Sequence, residues 1–228
     1  MSQDSETESA FMEATYRALC EHGYADLTMQ DIADETDKSK ATLHYHFDGK
    51  AELFREFLAY LNEDFTDSVA DPGGDTPAEQ LIRLLETVLE TPADGTDQQF
   101  NTAFLEIKAQ APYRDGYREA LDSFDGHLHS EVRSLVAAGV DAGQFPDDTD
   151  PDHVANHVLT YIHGTWTRSA AVGSEVDALR DGLVDYVESL LADDVEVPVA
   201  DHGGTESGTD DDANDGDEGG QGTDEVTA

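Results

Sequence analysis

The chain is short of positive charge. Its 228 residues include 12 Lys and Arg against 52 Asp and Glu, and the formal net charge at pH 7 is -40. Segment 193–228 is acidic and contains no Lys or Arg, but the rest of the chain is strongly acidic as well. Such a surface repels nucleic acid over most of its area. An excess of carboxylates along the whole chain favours a halophilic protein, because multimolar salt screens the self-repulsion.

Cysteine and long apolar runs are also scarce. The single cysteine, Cys20, excludes an intramolecular disulfide and fits a reducing compartment. No stretch approaches the roughly 18 apolar residues of a membrane span, and the N-terminus is acidic where a secretory signal is basic. The sequence therefore predicts a soluble, cytoplasmic protein with no membrane partner.

Apolar residues recur at helical spacing, without the alternation that is typical of strands. We expect an all-α fold of about nine helices, near residues 6–21, 29–36, 39–46, 50–69, 78–89, 98–111, 113–140, 153–171 and 176–191. Gly23 is expected to end the first helix in a left-handed conformation. Thr28 and Ser39 lie where the caps of the second and third helices are expected.

The few lysines are clustered. Lys38, Lys40 and Lys50 lie within the segment KSKATLHYHFDGK, which also contains Ser, Thr, His and Tyr side chains. The second and third predicted helices, joined by a short turn, form a helix-turn-helix. Cations that attract phosphates and side chains that can contact base edges thus share one short element, which indicates binding to double-stranded DNA.

The segment LTMQDIADETDKSKATLHYHFDGKAELF resembles the N-terminal DNA-binding domain of the TetR family of transcriptional regulators, and the match covers about residues 10–58. The resemblance implies base contacts from the third helix and phosphate contacts around it. The implied DNA-binding residues are Thr28, Gln30, Lys38, Ser39, Lys40, Ala41, Thr42, His44, Tyr45, His46 and Lys50. The chain departs from the family pattern at Asp37, Lys38 and His44, which replace a usual glycine, apolar residue and tyrosine.

The resemblance also implies a second domain that senses a ligand and forms a homodimer through its last two helices. Segment 104–145 is similar to the C-terminal domain of BetI-type members of the AcrR/BetI group. Candidate ligand-binding residues are Phe104, Ile107, Tyr117, Phe124, Tyr161 and Trp166. Candidate dimer residues are Val154, Val158, Tyr161, Ile162 and Thr165 on one helix and Leu179, Leu183, Tyr186, Val187 and Leu190 on the next, with Gly164 allowing close approach.

We therefore expect a helix-turn-helix domain at 6–49, an effector-binding and dimerisation domain at 50–192, and a disordered acidic tail at 193–228 that is either merely solvated or autoinhibitory. His153 and His157 have a spacing that can hold a metal, but nothing completes a ligand set, so no metal or cofactor is predicted. No catalytic motif is present, which argues against an enzyme.

The predicted function is that of a homodimeric repressor, released from a palindromic operator by a small-molecule effector. The alternative is an effector-independent DNA-binding regulator or an activator.

Overall fold

The computed structural model describes residues 3–90, 96–193 and 195. In these residues the chain forms α1 (Gln3–Asp26), α2 (Met29–Asp34), α3 (Lys40–His46), α4 (Lys50–Val69), α5 (Pro77–Val88), α6 (Thr96–Gln110), a 3₁₀ segment (Ala111–Tyr113), α7 (Asp115–Asp141), α8 (Pro151–Val172) and α9 (Val176–Glu188). The described residues contain no strand, and the predicted all-α class is confirmed. Apart from Asp193 and Val195, the predicted acidic tail lies outside these residues.

The second and third helices begin at the predicted caps. The Thr28 hydroxyl accepts hydrogen bonds from the N–H groups of Gln30 and Asp31, at 3.2 and 3.3 Å. The Asp31 carboxylate accepts in return from the Thr28 hydroxyl and N–H, both at 2.7 Å, and these bonds lower the pKa of Asp31. At α3 the Ser39 hydroxyl accepts from the N–H of Thr42 at 3.1 Å. Each cap satisfies backbone donors that would otherwise lack partners.

The predicted break at Gly23 is present but differs in form. Its φ of 68° and ψ of 166° leave the helical region inside α1, which then resumes as far as Asp26. The φ lies in the range that favours glycine, while ψ is extended rather than left-handed helical. The residues from Gly23 to Leu27 therefore form a bent connector between α1 and α2, which we call the α1–α2 connector.

The described residues contain two hydrophobic cores. The first joins α1, α2, α3 and the first half of α4 to parts of α6 and α7, and its fully or almost fully buried members include Phe11, Ile32, Leu43, Phe54, Ile107 and Tyr117. The helix-turn-helix is thus packed directly against the second half of the chain. We call α1 to α3 the head.

The second core is formed by α5, α7, α8 and α9. Val132, Val136, Val158, Ile162, Leu183 and Val187 are buried in it. Phe145 closes one end by lying on Gly139 so tightly that a β-carbon there would come within 2.5 Å of the ring. Residues of α4 contribute to both cores, because Phe57 lies in the first and Val69 in the second.

The second core changes the expected dimer surface. Val154, Val158, Ile162, Thr165, Leu183 and Val187 were expected in a seam between two copies, but they are buried within the chain itself. The prediction that these six residues form a dimer seam is therefore wrong, because the apolar rows of α8 and α9 are needed for the chain's own core. Tyr161, Leu179, Tyr186 and Leu190 remain partly exposed.

Candidate nucleic-acid interface and adjoining cavity

The third helix presents one face to solvent. Lys40, Ala41 and His44 are exposed, and Tyr45 is 85% exposed, whereas Leu43 is completely buried between the head helices. Burial of Leu43 fixes which side of α3 faces outward. The outward face carries an ammonium group, a methyl group, an imidazole and a phenol, which are suited to phosphates and base edges in a groove.

The Thr42 side chain is less accessible to DNA than the residues of this outward face. It is partly buried, and its hydroxyl lies 2.9 Å from the Ser39 hydroxyl, which also caps α3. The amide of Gln30, on α2, is exposed but donates to the Asp34 carboxylate at 2.7 Å. Each side chain has to exchange or share a hydrogen bond before its polar group can contact a base.

An ion pair fixes the second helix against the first. The Arg17 guanidinium donates to the Glu35 carbonyl at 2.7 Å and lies 3.2 Å from the Glu35 carboxylate. In the turn that follows, the N–H of Lys38 donates to the Thr36 hydroxyl at 3.3 Å, and its ammonium lies 3.4 Å from Asp37. These contacts tie the second helix to the first and order the turn before α3. A pre-ordered helix-turn-helix loses less conformational entropy when it binds in a DNA groove.

Lys50 does not extend outward, contrary to the expected phosphate contact. Its ammonium donates to the carbonyls of Tyr24 and Leu27, the latter at 2.8 Å, and lies 4.3 Å from the centre of the Tyr24 ring. Burial lowers the pKa of Lys50, and Arg114 lowers it further, whereas Glu106 opposes the shift. This geometry assigns the side chain to the α1–α2 connector and points away from a direct phosphate contact.

His46 also faces inward. Its side chain is 12% exposed, with Nδ1 3.7 Å from the Glu8 carboxylate and the ring edge-on to Phe11 at 5.7 Å. The expected phosphate contact would require the ring to leave this position. The reason is the helical period: His46 follows Leu43 by three residues, so it lies near the buried side of α3.

The α1–α2 connector is also held by the sixth helix. The Glu106 carboxylate accepts from the Ala25 N–H at 3.0 Å and lies 3.4 Å from the position of a β-carbon on Gly23. Nearby, the hydroxyls of Tyr24 and Tyr117 are 3.2 Å apart, and burial raises the pKa of Tyr117. Lys50 from α4 and Glu106 from α6 thus hold the same short segment of the head.

A cavity of about 270 Å³ lies where the two cores meet. Its apolar lining residues are Leu58, Leu61, Phe65, Val88, Leu89, Phe100, Phe104, Ala120, Leu121, Phe124, Trp166 and Val176, and its polar ones are Asp64, Ser68, Thr87, Glu90 and Asn101. Aromatic rings contact one another along its wall, with centres 4.2 Å apart for Phe65 and Phe124 and 5.6 Å for Phe100 and Phe104. Such a concave, largely apolar site with a few polar groups suits a small organic molecule.

Three of the six predicted ligand-binding residues, Phe104, Phe124 and Trp166, line this cavity. The other three do not. Ile107 and Tyr117 are buried in the first core, and Tyr161 packs on the second core against the ninth helix. Helical spacing accounts for Ile107, since Ala103 and Ile107 are buried in the first core, while Phe100 and Phe104 lie at its edge and line the cavity.

Sequence reasoning missed the contribution of α4 to the cavity. Leu58, which is buried in the first core, and then Leu61 and Phe65 continue the apolar row of that helix towards the cavity. This continuation was a usable signal, because a head-packing role needs only the first part of α4. No comparable signal in the sequence marked Asn101 as a polar residue of the cavity wall.

A partly buried polar network adjoins the cavity wall. The Lys108 ammonium lies 3.1 Å from Nδ1 of His163, and the other ring nitrogen of His163 is 2.9 Å from the Asp125 carboxylate. Lys108 also lies 5.2 Å from the centre of the Trp166 ring, and burial lowers its pKa while Asp125 opposes the shift. The network connects α6, α7 and α8 behind the aromatic wall.

No metal-binding group of three or more His, Cys, Asp or Glu occurs in residues 3–90, 96–193 and 195. His157 instead stacks on Tyr186, with ring centres 4.3 Å apart. Within the same residues, no helix has the length and apolar character needed to cross a bilayer.

Family models match both halves of the chain. Residues 11–57 match the model described as bacterial regulatory proteins of the tetR family, and residues 77–192 match the C-terminal domain of BetI-type transcriptional repressors. Among characterised relatives, the regulator TtgR of Pseudomonas putida is 25% identical over 183 residues, which are 77% of this chain and 86% of TtgR. The repressor AcnR of Corynebacterium glutamicum is 26% identical over 79% of this chain and 89% of its own length.

Solved structures agree with these matches. A TetR transcription regulator from Haloarcula marismortui is 37% identical, with a TM-score of 0.76 over 82% of this chain and 100% of its own. A regulator from Saccharomonospora viridis, solved in complex with choline, is 27% identical, with a TM-score of 0.71 over 82% of this chain and 98% of its own. The chain therefore belongs to the TetR family and is a DNA-binding transcriptional regulator of the repressor type, not an enzyme.

Proposed function

We propose that two copies of the chain bind a palindromic operator through α3 and leave it when a small molecule enters the cavity. The observation that carries the DNA contact is the exposed face of α3, with Lys40, His44 and Tyr45 pointing outward. Residues 38–47 contain no Asp or Glu, in a chain that carries 52 of them. The outward face of α3 is thus one of the few surfaces of this protein that can approach DNA without bringing carboxylates with it.

Within this face we assign the direct contacts selectively. Lys40 and His44 bind phosphates, Tyr45 and Ala41 contact base edges, and Thr42 contacts a base if its hydroxyl rotates away from Ser39. Thr28, Gln30, Lys38 and Ser39 border the contact. His46 and Lys50 act from behind by holding the head in shape.

The homodimer is supported by the eighth helix. Residues 153–174 contain no Asp or Glu, although the outer face of α8 is exposed at His153, Asn156, His157, Thr160 and Gly164. A β-carbon on Gly164 would contact nothing within 4 Å. A face without carboxylates in so acidic a chain is expected where another copy covers it, since burying charges without partners is unfavourable.

The cavity supports regulation by a small-molecule effector and favours this hypothesis over effector-independent DNA binding. Five aromatic side chains line the cavity, no Lys or Arg does, and Asp64 and Glu90 supply carboxylates. The lining therefore favours neutral or cationic organic molecules over anions. Choline is bound by the related regulator from Saccharomonospora viridis, and a molecule of that charge is compatible with this lining.

The sixth helix connects the cavity to the head. Phe100, Asn101 and Phe104 line the cavity, and Glu106 on the same helix holds the N–H of Ala25 in the α1–α2 connector. A ligand that displaces α6 therefore also displaces the connector that positions α2 and α3. Coupling of about 1–3 kcal/mol between the two sites is sufficient for regulation.

DNA binding is tested by fluorescence anisotropy on a duplex from the upstream region of the protein's own gene, in molar KCl, with a scrambled duplex as the control. We expect specific binding with two chains per duplex. Binding that does not distinguish the two duplexes, or one chain per operator, would contradict the proposal.

Effector binding has a built-in probe, because Trp166 is the only tryptophan and lies in the cavity wall. A metabolite library is screened for changes in Trp166 fluorescence, and each hit is tested for release of the operator. We expect Glu106→Gln to bind the hit with unchanged affinity but to release DNA less completely, whereas Glu119→Gln, at an exposed carboxylate of α7, leaves release unchanged. A hit that binds without any effect on DNA affinity would support the effector-independent alternative.

A further inference from the structure

The 3₁₀ segment and the first turn of α7 form a surface beside the N-terminus of α4. Asp48, Gly49 and Arg55 on one side and Tyr113, Arg114 and Gly116 on the other line one shallow recess. The two sides are in close contact, because a β-carbon on Gly116 would lie 3.2 Å from Cδ of Arg55. This recess adjoins the head, since Asp48 follows the last residue of α3 by only two positions.

Arg114 differs from most cations of this protein. It is exposed and lies within ion-pair distance of no carboxylate in the part of the chain that the structure describes; of the other cations there, only Lys40 and Arg168 are likewise exposed and without such a carboxylate. The guanidinium lies 5.5 Å from the centre of the Tyr117 ring. A guanidinium left without a carboxylate is unusual in a chain with 52 acidic residues, and a planar guanidinium suits a phosphate.

Tyr113 is the second unusual residue of this surface. It is 83% exposed, and among the large hydrophobic side chains of the described residues only Tyr45, on the outward face of α3, is more exposed. Its hydroxyl can donate a hydrogen bond to a phosphate oxygen. The two most exposed large aromatic side chains therefore lie on the third helix and on the segment beside the fourth.

The electrostatics also connect this surface to the head. Arg114 is close enough to Lys50 to contribute to the lowered pKa of that lysine. The acids of the recess are partly compensated: Arg55 lies 2.6 Å from Glu56 and 3.7 Å from Glu52, and Asp115 lies 2.8 Å from Arg118. Asp48 has no such cation, so with these partners the recess holds three arginines against four carboxylates, close to balance in a chain at -40.

From these observations we infer that Arg114, assisted by Tyr113, binds the sugar–phosphate backbone of the operator next to the part contacted by α3. The inference rests on the proposed DNA-binding function and adds a contact from outside the helix-turn-helix. The N–H of Arg114 donates to the Ala111 carbonyl at 3.2 Å, which fixes the backbone from which this side chain extends at the start of α7. Because Arg114 belongs to the ligand-sensing half of the protein, a movement of that half changes this contact with the DNA directly.

The test compares the wild-type protein with Arg114→Gln, Tyr113→Ala and Arg118→Gln. Arg118 is the matched control, since it lies on the same turn but is paired with Asp115. Operator affinity is measured over a range of KCl in which the circular dichroism of each protein stays constant, and the phosphates that each protein needs are mapped by ethylation interference.

We expect Arg114→Gln to weaken operator binding about 10-fold and to reduce the slope of log K against log salt by about 1.8, for one phosphate lost per copy in a dimer. One ethylation signal per half-site should disappear with it, Tyr113→Ala should weaken that signal, and Arg118→Gln should leave it intact. Unchanged affinity and slope in Arg114→Gln, or weaker binding with every ethylation signal kept, would overturn the inference while leaving the proposed function standing. Failure of the wild-type protein to bind the operator would overturn both.

Discussion

Two stretches of this chain avoid carboxylates, and they differ in what replaces them. Residues 38–47, around α3, carry two lysines and two histidines, whereas the longer stretch 153–174, along α8, carries no lysine, one arginine and three histidines. Both present exposed faces. In a protein at -40, we interpret an exposed face without acid as a proposed contact surface. The lysines around α3 favour a polyanion as its partner, and the scarcity of charge along α8 favours a second, equally acidic copy.

The comparison also separates two uses of histidine. His44 is exposed on the outward face of α3, while His157 on α8 stacks on Tyr186 of α9, with ring centres 4.3 Å apart. The first is available to a phosphate. The second packs α8 against α9 beside the exposed residues of α8 that lack carboxylates, where we propose the symmetric contact between copies.

The largest effect is expected from placing acid on the α8 face. Thr160 is exposed, and its hydroxyl donates to the Asn156 carbonyl at 2.8 Å. Thr160→Glu places two like charges in the proposed contact between copies, and like charges brought together there cost several kcal/mol. We expect dissociation to monomers in sedimentation experiments and a loss of operator affinity of about 1,000-fold.

Thr160→Gln is the control for that change, because it has the size of the glutamate without its charge. It should remain dimeric and bind the operator. If Thr160→Glu stays dimeric, α8 does not form the contact, and its lack of acid has another origin.

The next effect concerns the other acid-free surface. In the double variant Thr42→Ala, Tyr45→Ala the outward face of α3 loses two side chains that are suited to base edges. Each base contact accounts for about 1–3 kcal/mol, so even at the lower end of this range specific affinity should fall about 30-fold for each half-site, while binding to a scrambled duplex changes little. An anisotropy titration with both duplexes distinguishes the two. Equal losses on the two duplexes would mean that these residues position the protein without reading sequence.

A smaller effect is expected on the salt dependence of operator binding, and it should differ between substitutions of two lysines. Lys40→Gln removes an exposed ammonium from α3 and should reduce the salt slope of operator binding by about 1.8 for a dimer. Lys50→Gln removes an ammonium that is bonded to the carbonyls of Tyr24 and Leu27, so it should lower the melting temperature and leave the slope unchanged. A reduced slope in Lys50→Gln would show that this side chain turns outward to a phosphate when DNA is bound.

The smallest effect is expected at the cap of α2. Thr28→Ala removes the hydroxyl that accepts from the N–H groups of Gln30 and Asp31 and donates to the Asp31 carboxylate, but it keeps the N–H of residue 28. It should lower the melting temperature at pH 7 by about 2–4 °C. Hydrogen bonds from Thr28 lower the pKa of Asp31 below 3.8, so this stabilisation is complete above that pH and is lost as the pH falls through the lower folded-state value. The difference between wild-type and variant should therefore narrow in acid, and a difference that is independent of pH would contradict the role of the carboxylate.

The head could be predicted closely from sequence because its signals are local. Ser39 marks the start of α3, Leu43 marks its buried side, and the structure places both as expected. The orientation of Lys50 could not be predicted in this way. A lysine at the start of α4 can reach either a phosphate or a carbonyl, and the choice depends on the path of the α1–α2 connector, which is set by contacts with α6, far away in the sequence.

The second half of the chain was harder to predict, because helical spacing of apolar residues does not specify which element each of them packs against. Val158 and Ile162 have the pattern of a seam between copies but pack inside the chain. Ile107 and Phe104 are three residues apart on one helix, yet one lies in the first core and the other in the cavity wall. Only the arrangement of the neighbouring helices separates these roles.

The inward orientation of Lys50 also bears on how this protein can be labelled. The chain has four lysines, and two of them, Lys50 and Lys108, have their ammonium groups engaged within the fold. An amine-reactive reagent used briefly on the folded protein should therefore modify lysine side chains mainly at Lys38 and Lys40, beside the proposed DNA contact. Mass spectrometry can then follow how far Lys38 and Lys40 are modified. Bound operator should reduce their modification, and an effector that releases the operator should restore it.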